Sequence, residues 1–91
     1  MLDSEKHQIY VMASAKWGKQ AQALKFIEEA CELNRELIRK DLGEDNLNKI
    51  IEEIADVSIM LEQLILTHEC ERRVAEKKKE KLLRLKERLK N

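Results

Sequence analysis

The amino-acid sequence predicts an all-α protein, an antiparallel bundle of about four helices that is completed by oligomerisation. Charged residues make up 40% of the 91-residue chain and aromatic residues 3%, and the chain has no proline and two glycines. A β-sandwich or barrel needs turn residues and aromatic or β-branched strands, so this composition excludes one and favours long helices. Hydrophobic residues reach 43%, too many for a disordered chain. A domain this small buries only roughly 60–65% of its unfolded surface, which favours self-association.

Apolar residues at helical spacing divide the chain into four segments. A first helix is expected over residues 1–15, with a break near Gly18. The other helices are expected from Lys19 to Lys40, from Leu47 to Thr67, and from there to about Leu89. The turn over residues 41–46 contains Gly43, which can adopt the positive φ that ends a helix, and Asn46 or Asp45 can cap the next helix.

The third predicted helix is apolar nearly all round its circumference. Between Ile54 and Leu66 the only polar residues are Asp56, Ser58, Glu62 and Gln63. A single hairpin partner cannot cover such a helix on most of its sides. This pattern is the strongest argument in the sequence for a bundle built from several chains.

The chain is interpreted as one cytoplasmic domain over residues 1–91. Its length allows one domain and makes a second unlikely. No apolar run approaches 18 residues and no secretory signal is present, so a membrane is excluded as a partner. Cys31 and Cys70 do not make a disulfide framework, which favours a reducing compartment.

Charge is distributed unevenly along the chain. Residues 71–91 have 10 basic and 4 acidic side chains, a net charge of +6, and residues 1–70 have a net charge of −6. A basic tail can bind nucleic acid, but acidic residues interleaved at helical spacing are typical of a solvated helix face. The overall charge is zero and the sequence has no recognisable nucleic-acid-binding motif, so nucleic acid is the least favoured partner.

Two pairs of carboxylates stand out as a candidate metal site. Glu29 and Glu32 are spaced i,i+3 in the second predicted helix, and Glu53 and Asp56 have the same spacing in the third. Both pairs lie roughly 18 Å from Gly43 at about 1.5 Å per residue, so an antiparallel hairpin brings them to the same height. Sheltered carboxylates take up protons or bind a cation, and Mg²⁺ prefers oxygen ligands. Mn²⁺ is the alternative. Iron is disfavoured because neither Glu29 nor Glu53 is followed by a histidine three residues later, as in the Glu-x-x-His pair of di-iron bundles.

These residues resemble a signature of the MazG-like all-α nucleoside triphosphate pyrophosphohydrolases. Glu28-Glu29-Ala30-Cys31-Glu32 followed by Glu53-Ile54-Ala55-Asp56 is similar to the family's E-E-x-x-E and E-x-x-D motifs. Lys16-Trp17-Gly18 with Gln20 precedes the first motif. Lys81 and Arg84 have the spacing of the family's late K-x-x-R element. The resemblance covers about residues 15–90 and is to the small bacterial and phage members.

The resemblance implies Mg²⁺-dependent cleavage of a nucleotide between its α- and β-phosphates, which gives the monophosphate and pyrophosphate. It implies a homodimer or homotetramer, with Glu29, Glu32, Glu53 and Asp56 as metal ligands. Glu28 completes the motif and is assigned a catalytic role with Glu53, since a carboxylate in the cluster can accept a proton from water.

Four further residues are candidates for substrate binding. Lys81 and Arg84 would hold the outer phosphates, from this chain or a neighbour, although a solvated helix surface is about equally favoured. Trp17 would stack on a base and Gln20 would read its edge, whereas a lone tryptophan is more often a packing anchor. A non-catalytic helical module for oligomerisation or regulation stays open as the alternative function, and the base and sugar preferences stay open as well.

Overall fold

A computed structural model of the chain describes residues 1–90 and contains three helices. Helix α1 spans Asp3–Asp41, α2 spans Leu47–Thr67 and α3 spans Glu71–Arg88. The described residues form no strand, which confirms the all-α prediction. The predicted third helix agrees with α2 at both ends.

The structure has three helices rather than about four, because the first two predicted segments form one element. Within α1 the backbone is interrupted only at Gly18, which has φ 84° and ψ 164°. This conformation is open essentially to glycine alone. The predicted break near Gly18 is therefore a kink without a loop.

Helices α1 and α2 form an antiparallel hairpin. Gln22 contacts Gln63 at one level, and nearer the turn the Asn46 Nδ2 donates a hydrogen bond of 2.9 Å to the Glu36 carbonyl. Asn46 occupies the N-cap position of α2, but its side chain bonds α1 instead of capping α2. The predicted cap residue thus fixes how the two helices pair.

The turn of the hairpin is closed by a glycine in the left-handed region, as predicted. Gly43 has φ 98°. Its amide donates to the Lys40 carbonyl at 3.0 Å, and the Glu44 amide donates to the Arg39 carbonyl at 3.1 Å. This is the Schellman pattern, which satisfies carbonyls that the end of a helix leaves without partners.

The kink at Gly18 folds the N-terminal arm, residues 3–17, across α2. Tyr10 in this arm donates a hydrogen bond to Glu62, and Gln22 beyond the kink donates one to Gln63. Twelve residues of straight helix would separate Tyr10 from Gln22 by roughly 18 Å, so both could not reach one turn of α2. The bend therefore places two parts of α1 around the same part of α2.

Buried side chains in residues 1–90 are more often polar than apolar. Tyr10 and Ile50 are the two hydrophobic residues that are less than a tenth exposed, whereas five polar residues are equally buried: Gln22, Glu29, Glu36, Asn46 and Gln63. On the far side of α2, Ile51 and Ile54 are about half exposed. One chain alone therefore does not bury α2 on most of its sides, as expected for an apolar helix with a single hairpin partner.

Helix α3 projects from the end of the hairpin. It follows α2 through a tight turn in which Glu69 has φ 50°, and it makes little contact with α2. Every side chain from Ala75 to Lys90 is exposed, including those of Leu82 and Leu85. Within the described part of the chain, no helix has the length and apolar content needed to cross a membrane.

Candidate metal and substrate site

Three of the four predicted metal ligands meet between α1 and α2. Glu29 on α1 and Glu53 and Asp56 on α2 each offer a carboxylate oxygen, and these oxygens lie within 4.8 Å of one another. Glu53 and Asp56 are one turn apart on one face of α2, and the antiparallel hairpin brings Glu29 to their height. The match in level that the sequence predicted is therefore present.

The cluster leaves carboxylate oxygens without partners. Glu29 is buried, and its Oε2 and the Oε2 of Glu53 are covered and accept no hydrogen bond. Burial and the negative charge of Glu32 raise the pKa of Glu53 from its ordinary 4.5 to about 7. Burial and the charge of Glu29 likewise raise the pKa of Asp56. Without a cation, the site is therefore poised to hold protons close to neutral pH.

Glu29 behaves differently because a cation stands beside it. The Lys25 Nζ lies 3.0 Å from Glu29 Oε1, one turn earlier on α1. The hydrogen bond from Lys25 lowers the pKa of Glu29, and the pKa of Lys25 is raised by the same contact. Lys25 thus favours the ionised form of Glu29, and it provides one positive charge against several carboxyl groups.

The other two acidic residues of the first motif lie at the margin. Glu32 is half-buried and close enough for its charge to act on Glu53, but it is not among the three groups whose oxygens converge. Glu28 is exposed and lies 3.7 Å from Lys25. The structure therefore places Glu32 next to the cluster and Glu28 on its solvent side.

The residues fit a hard divalent cation. All three donors are carboxylates, which Mg²⁺ and Mn²⁺ prefer, and a softer ion would require histidine or cysteine. Two covered oxygens without partners are acceptors that a cation would satisfy. A divalent ion also matches the excess of negative charge better than the single ammonium of Lys25 does.

A cavity of about 470 Å³ adjoins the cluster along the same groove. Its walls come from the N-terminal arm, from α1 beyond the kink and from α2, so it lies at the corner that Gly18 creates. Lys25 lines the cavity on α1, and Met60, one turn beyond Asp56, lines it on α2. Trp17 also lines it, 61% exposed, which is not the environment of a packing anchor.

Sequence reasoning missed the two glutamines of this cavity. Gln22 and Gln63 both line it and are joined by a hydrogen bond of 2.8 Å. Each lies seven residues from a cluster carboxylate, Gln22 before Glu29 and Gln63 after Asp56, and this spacing returns to the same helix face. Seven-residue spacing on the acidic face was therefore the signal that could have identified them.

Three predicted substrate-binding residues lie away from the cavity wall. Gln20 is exposed on α1 and does not line the cavity. Lys81 and Arg84 are exposed on α3, which makes little contact with α2 and leaves both side chains in solvent. Within residues 1–90, neither forms an ion pair with the acidic cluster, so their assignment to a substrate remains a prediction.

Comparisons with known proteins do not place the chain in a family. No family model, curated protein or solved structure matches it. The carboxylate cluster and the cavity beside it are the features of the chain that indicate a function.

Proposed function

We propose that this chain is a Mg²⁺-dependent nucleoside triphosphate pyrophosphohydrolase of the MazG-like all-α kind. It would cleave a nucleotide between the α- and β-phosphates and release the monophosphate and pyrophosphate. The observation that supports this proposal best is the convergence of Glu29, Glu53 and Asp56, with two covered oxygens that have no partner. The adjoining cavity gives the rest of a nucleotide a place to lie.

The three converging carboxylates would hold the metal, with Glu32 as a fourth ligand from the margin. A bound Mg²⁺ or Mn²⁺ supplies positive charge against the phosphates and acidifies water. Glu53 would also take a proton from the attacking water, because its carboxylate lies within the cluster. Glu28, on the solvent side of the cluster, would orient water as it approaches.

Lys25 is a phosphate ligand that the sequence motif did not include. Its ammonium lies between the carboxylate cluster and the cavity, bonded to Glu29 at 3.0 Å. A cation bound to Glu29 would compete with this ion pair and free the ammonium for a phosphate oxygen. Lys25→Met would then raise the KM for nucleotide, while Lys19→Met, an exposed lysine outside the cavity, would leave it unchanged.

The proposed assembly is a homodimer or homotetramer. Apolar side chains that one chain leaves exposed on α2 and α3 would be covered by neighbouring copies. In such an assembly, Lys81 and Arg84 would approach the outer phosphates from a neighbour. The same exposed surface favours the alternative function, a helical module that associates but does not catalyse.

A nucleotide screen with identified products tests the proposal. Purified chain with Mg²⁺ and a panel of ribo- and deoxynucleoside triphosphates should release pyrophosphate, and EDTA should stop the reaction. Glu53→Gln should lower the rate by at least about 100-fold, because it removes a metal ligand and proton acceptor. The matched control is Glu52→Gln, an exposed neighbour on the same helix, which should stay within about twofold. Release of single phosphates, or full activity of Glu53→Gln, would refute the assignment.

A further inference from the structure

The cavity has a polar floor made of two buried amides. Gln22 is 3% exposed and Gln63 is 7% exposed, and the Gln22 Nε2 donates to the Gln63 Oε1 at 2.8 Å. They come from different helices and meet where the N-terminal arm folds over α2. Few side chains in residues 1–90 are as deeply buried, and apolar residues would fill such a position at a lower desolvation cost.

The amide pair does not satisfy its own hydrogen-bonding capacity. The Gln22 Oε1 is covered and accepts no hydrogen bond. The Gln63 Nε2 donates only to the Met60 sulfur, at 3.4 Å, and a thioether is a weak acceptor. The pair therefore leaves the Gln22 Oε1 without a partner and the Gln63 Nε2 with only a weak acceptor. Leaving such groups unpaired is costly, so a ligand that supplies both partners recovers binding energy.

The walls of the cavity select a flat, largely apolar ligand. Trp17, Ile9, Ile59 and Met60 line it, and aromatic rings stack on nucleobases. A hydrocarbon chain would suit these walls but leave both amides unpaired. A sugar would need many more polar partners than two amides offer. A nucleobase combines a flat π-face with an edge on which an N–H donor stands next to an acceptor.

The distance from the amide pair to the carboxylates suits a nucleotide. Gln22 precedes Glu29 by seven residues and Gln63 follows Asp56 by seven, which is roughly 10 Å along each helix. Lys25 lies between these two levels. A base on the amides would thus direct its phosphates along the groove, past Lys25, to the carboxylate cluster.

We propose that this cavity is a nucleobase subsite in which the Gln22–Gln63 pair selects bases with an N–H donor beside an acceptor. The proposal rests on the function proposed above, because it takes the groove as a nucleotide site. The covered Gln22 Oε1 becomes available when the amide turns about its terminal side-chain torsion, which is a broad one, and this turn exchanges the hydrogen bond to Gln63 for one to the base. Purine deoxyriboside, whose base lacks both the exocyclic groups and the ring N–H, cannot donate to the Gln22 Oε1.

Deoxynucleosides without phosphate test the subsite apart from the metal. Trp17 is the only tryptophan and lines the cavity, so its fluorescence reports occupancy in the full chain with EDTA present. The four natural deoxynucleosides should be titrated against purine deoxyriboside. We expect at least one natural deoxynucleoside to bind at least about tenfold more tightly than purine deoxyriboside. Equal affinities, or no fluorescence change at millimolar concentrations, would overturn the proposal.

Variants show whether the amides cause this discrimination. Gln22→Met preserves side-chain length and removes the amide, so the tenfold preference should disappear. Gln63→Met should do the same and serves if the first variant fails to fold. Gln8→Met is the matched control, since this glutamine of α1 is exposed and does not line the cavity, and it should keep the preference. A preference that survives in folded Gln22→Met and Gln63→Met would also overturn the proposal.

The binding test and the hydrolysis test fail separately. Glu53→Gln should lose hydrolysis and keep deoxynucleoside binding, since its change lies at the other end of the groove. Hydrolysis without base discrimination would overturn the nucleobase subsite and leave the proposed reaction standing. Discrimination without hydrolysis of any triphosphate would support the amide pair as a base reader and refute the proposed reaction.

Discussion

Two opposite faces of α2 contrast in composition and in burial. The groove face contains Glu53, Asp56 and Gln63, and here Gln63 is buried and the Glu53 Oε2 is covered and has no partner. The back face contains Ile51 and Ile54, which are about half exposed. Glu53 and Ile51 are two residues apart and point roughly 160° away from each other on a helix of 3.6 residues per turn. Polar residues lie inside and apolar ones outside, the reverse of a globular core.

This reversal indicates that the two faces meet different partners. Polar groups buried without partners destabilise a fold, and they are typical of sites that bind an ion or a ligand. Apolar side chains exposed in a row are typical of surfaces that another protein chain covers. The predictions below test each face in turn, starting with the largest expected effect.

The back face should control the assembly of the chain. Leu61 continues the row of Ile51 and Ile54 and is 46% exposed. Leu61→Glu introduces a charge into the proposed interface, so the oligomer should dissociate to the 10.7 kDa chain. Light scattering coupled to size-exclusion chromatography measures the mass. Asn48→Glu, an exposed position at the start of α2, should leave the mass unchanged. If the parent chain is already monomeric at micromolar concentration, the proposal that copies of the chain cover this face is wrong.

The groove face should gain stability from its ligands. Mg²⁺ together with a nucleotide at 100 times its Kd should raise the free energy of unfolding by roughly 2.7 kcal/mol. Thermal melting followed by circular dichroism, with and without both ligands, measures this gain. Asp56→Asn should abolish the gain that depends on Mg²⁺, whereas Asp41→Asn at the end of α1 should keep it. No shift in the parent chain at millimolar ligand would favour a non-catalytic helical module.

The apolar end of the groove depends on the bend at Gly18. Gly18→Ala has room for the new Cβ, since no atom lies within 4 Å, but alanine at φ 84° is strained. The expected loss is about 1–3 kcal/mol of unfolding free energy. Chemical denaturation measures it, with Lys19→Ala as the control, because that exposed helical position should change stability by less than about 0.5 kcal/mol. An unchanged Gly18→Ala protein would mean that the N-terminal arm does not need this bend.

The sequence predicted the features that depend on local pattern. The turn at Gly43, the bounds of α2 and the level of Glu29 with Glu53 and Asp56 follow from spacing and from the geometry of a helical hairpin. The cavity was not predictable in this way, because it depends on how far the chain bends at one glycine. Local pattern indicates that Gly18 interrupts a helix, but only the backbone angles show that the N-terminal arm folds across α2.

Two of the predicted substrate-binding residues flank the kink, and the structure places them differently. Trp17 precedes Gly18 and lines the cavity, whereas Gln20 follows it and does not. The substrate role of Lys81 cannot be deduced from one chain, since α3 leaves it in solvent and any phosphate contact requires a neighbour.

The smallest expected effect is a pH dependence that comes from the groove face. The pKa of Glu53 is raised from 4.5 to about 7 in the folded chain, so between these values the folded state binds more protons than the unfolded state. Stability should therefore be highest at or below pH 4.5 as far as this group is concerned, and should fall as pH rises to 7. Asp56, whose pKa is also raised, adds a fall of the same sign. The carboxyls of Glu29 and Glu62 have lowered pKa values, so their contribution is lost as pH falls below about 4.5.

Urea denaturation in EDTA at several pH values between 5 and 7.5 measures this slope. Glu53→Gln cannot ionise at this position, so its unfolding free energy should fall less steeply with pH than that of the parent. At pH 7.5 the variant should be the more stable protein without metal, because it lacks the buried negative charge. Adding Mg²⁺ should reverse the order, since metal binding requires the ionised carboxylate and stabilises only the parent. If the unfolding free energies of the two proteins fall with equal slopes against pH, the pKa of Glu53 is the same in the folded and unfolded chain. The groove face of α2 would then not disfavour a charged carboxylate.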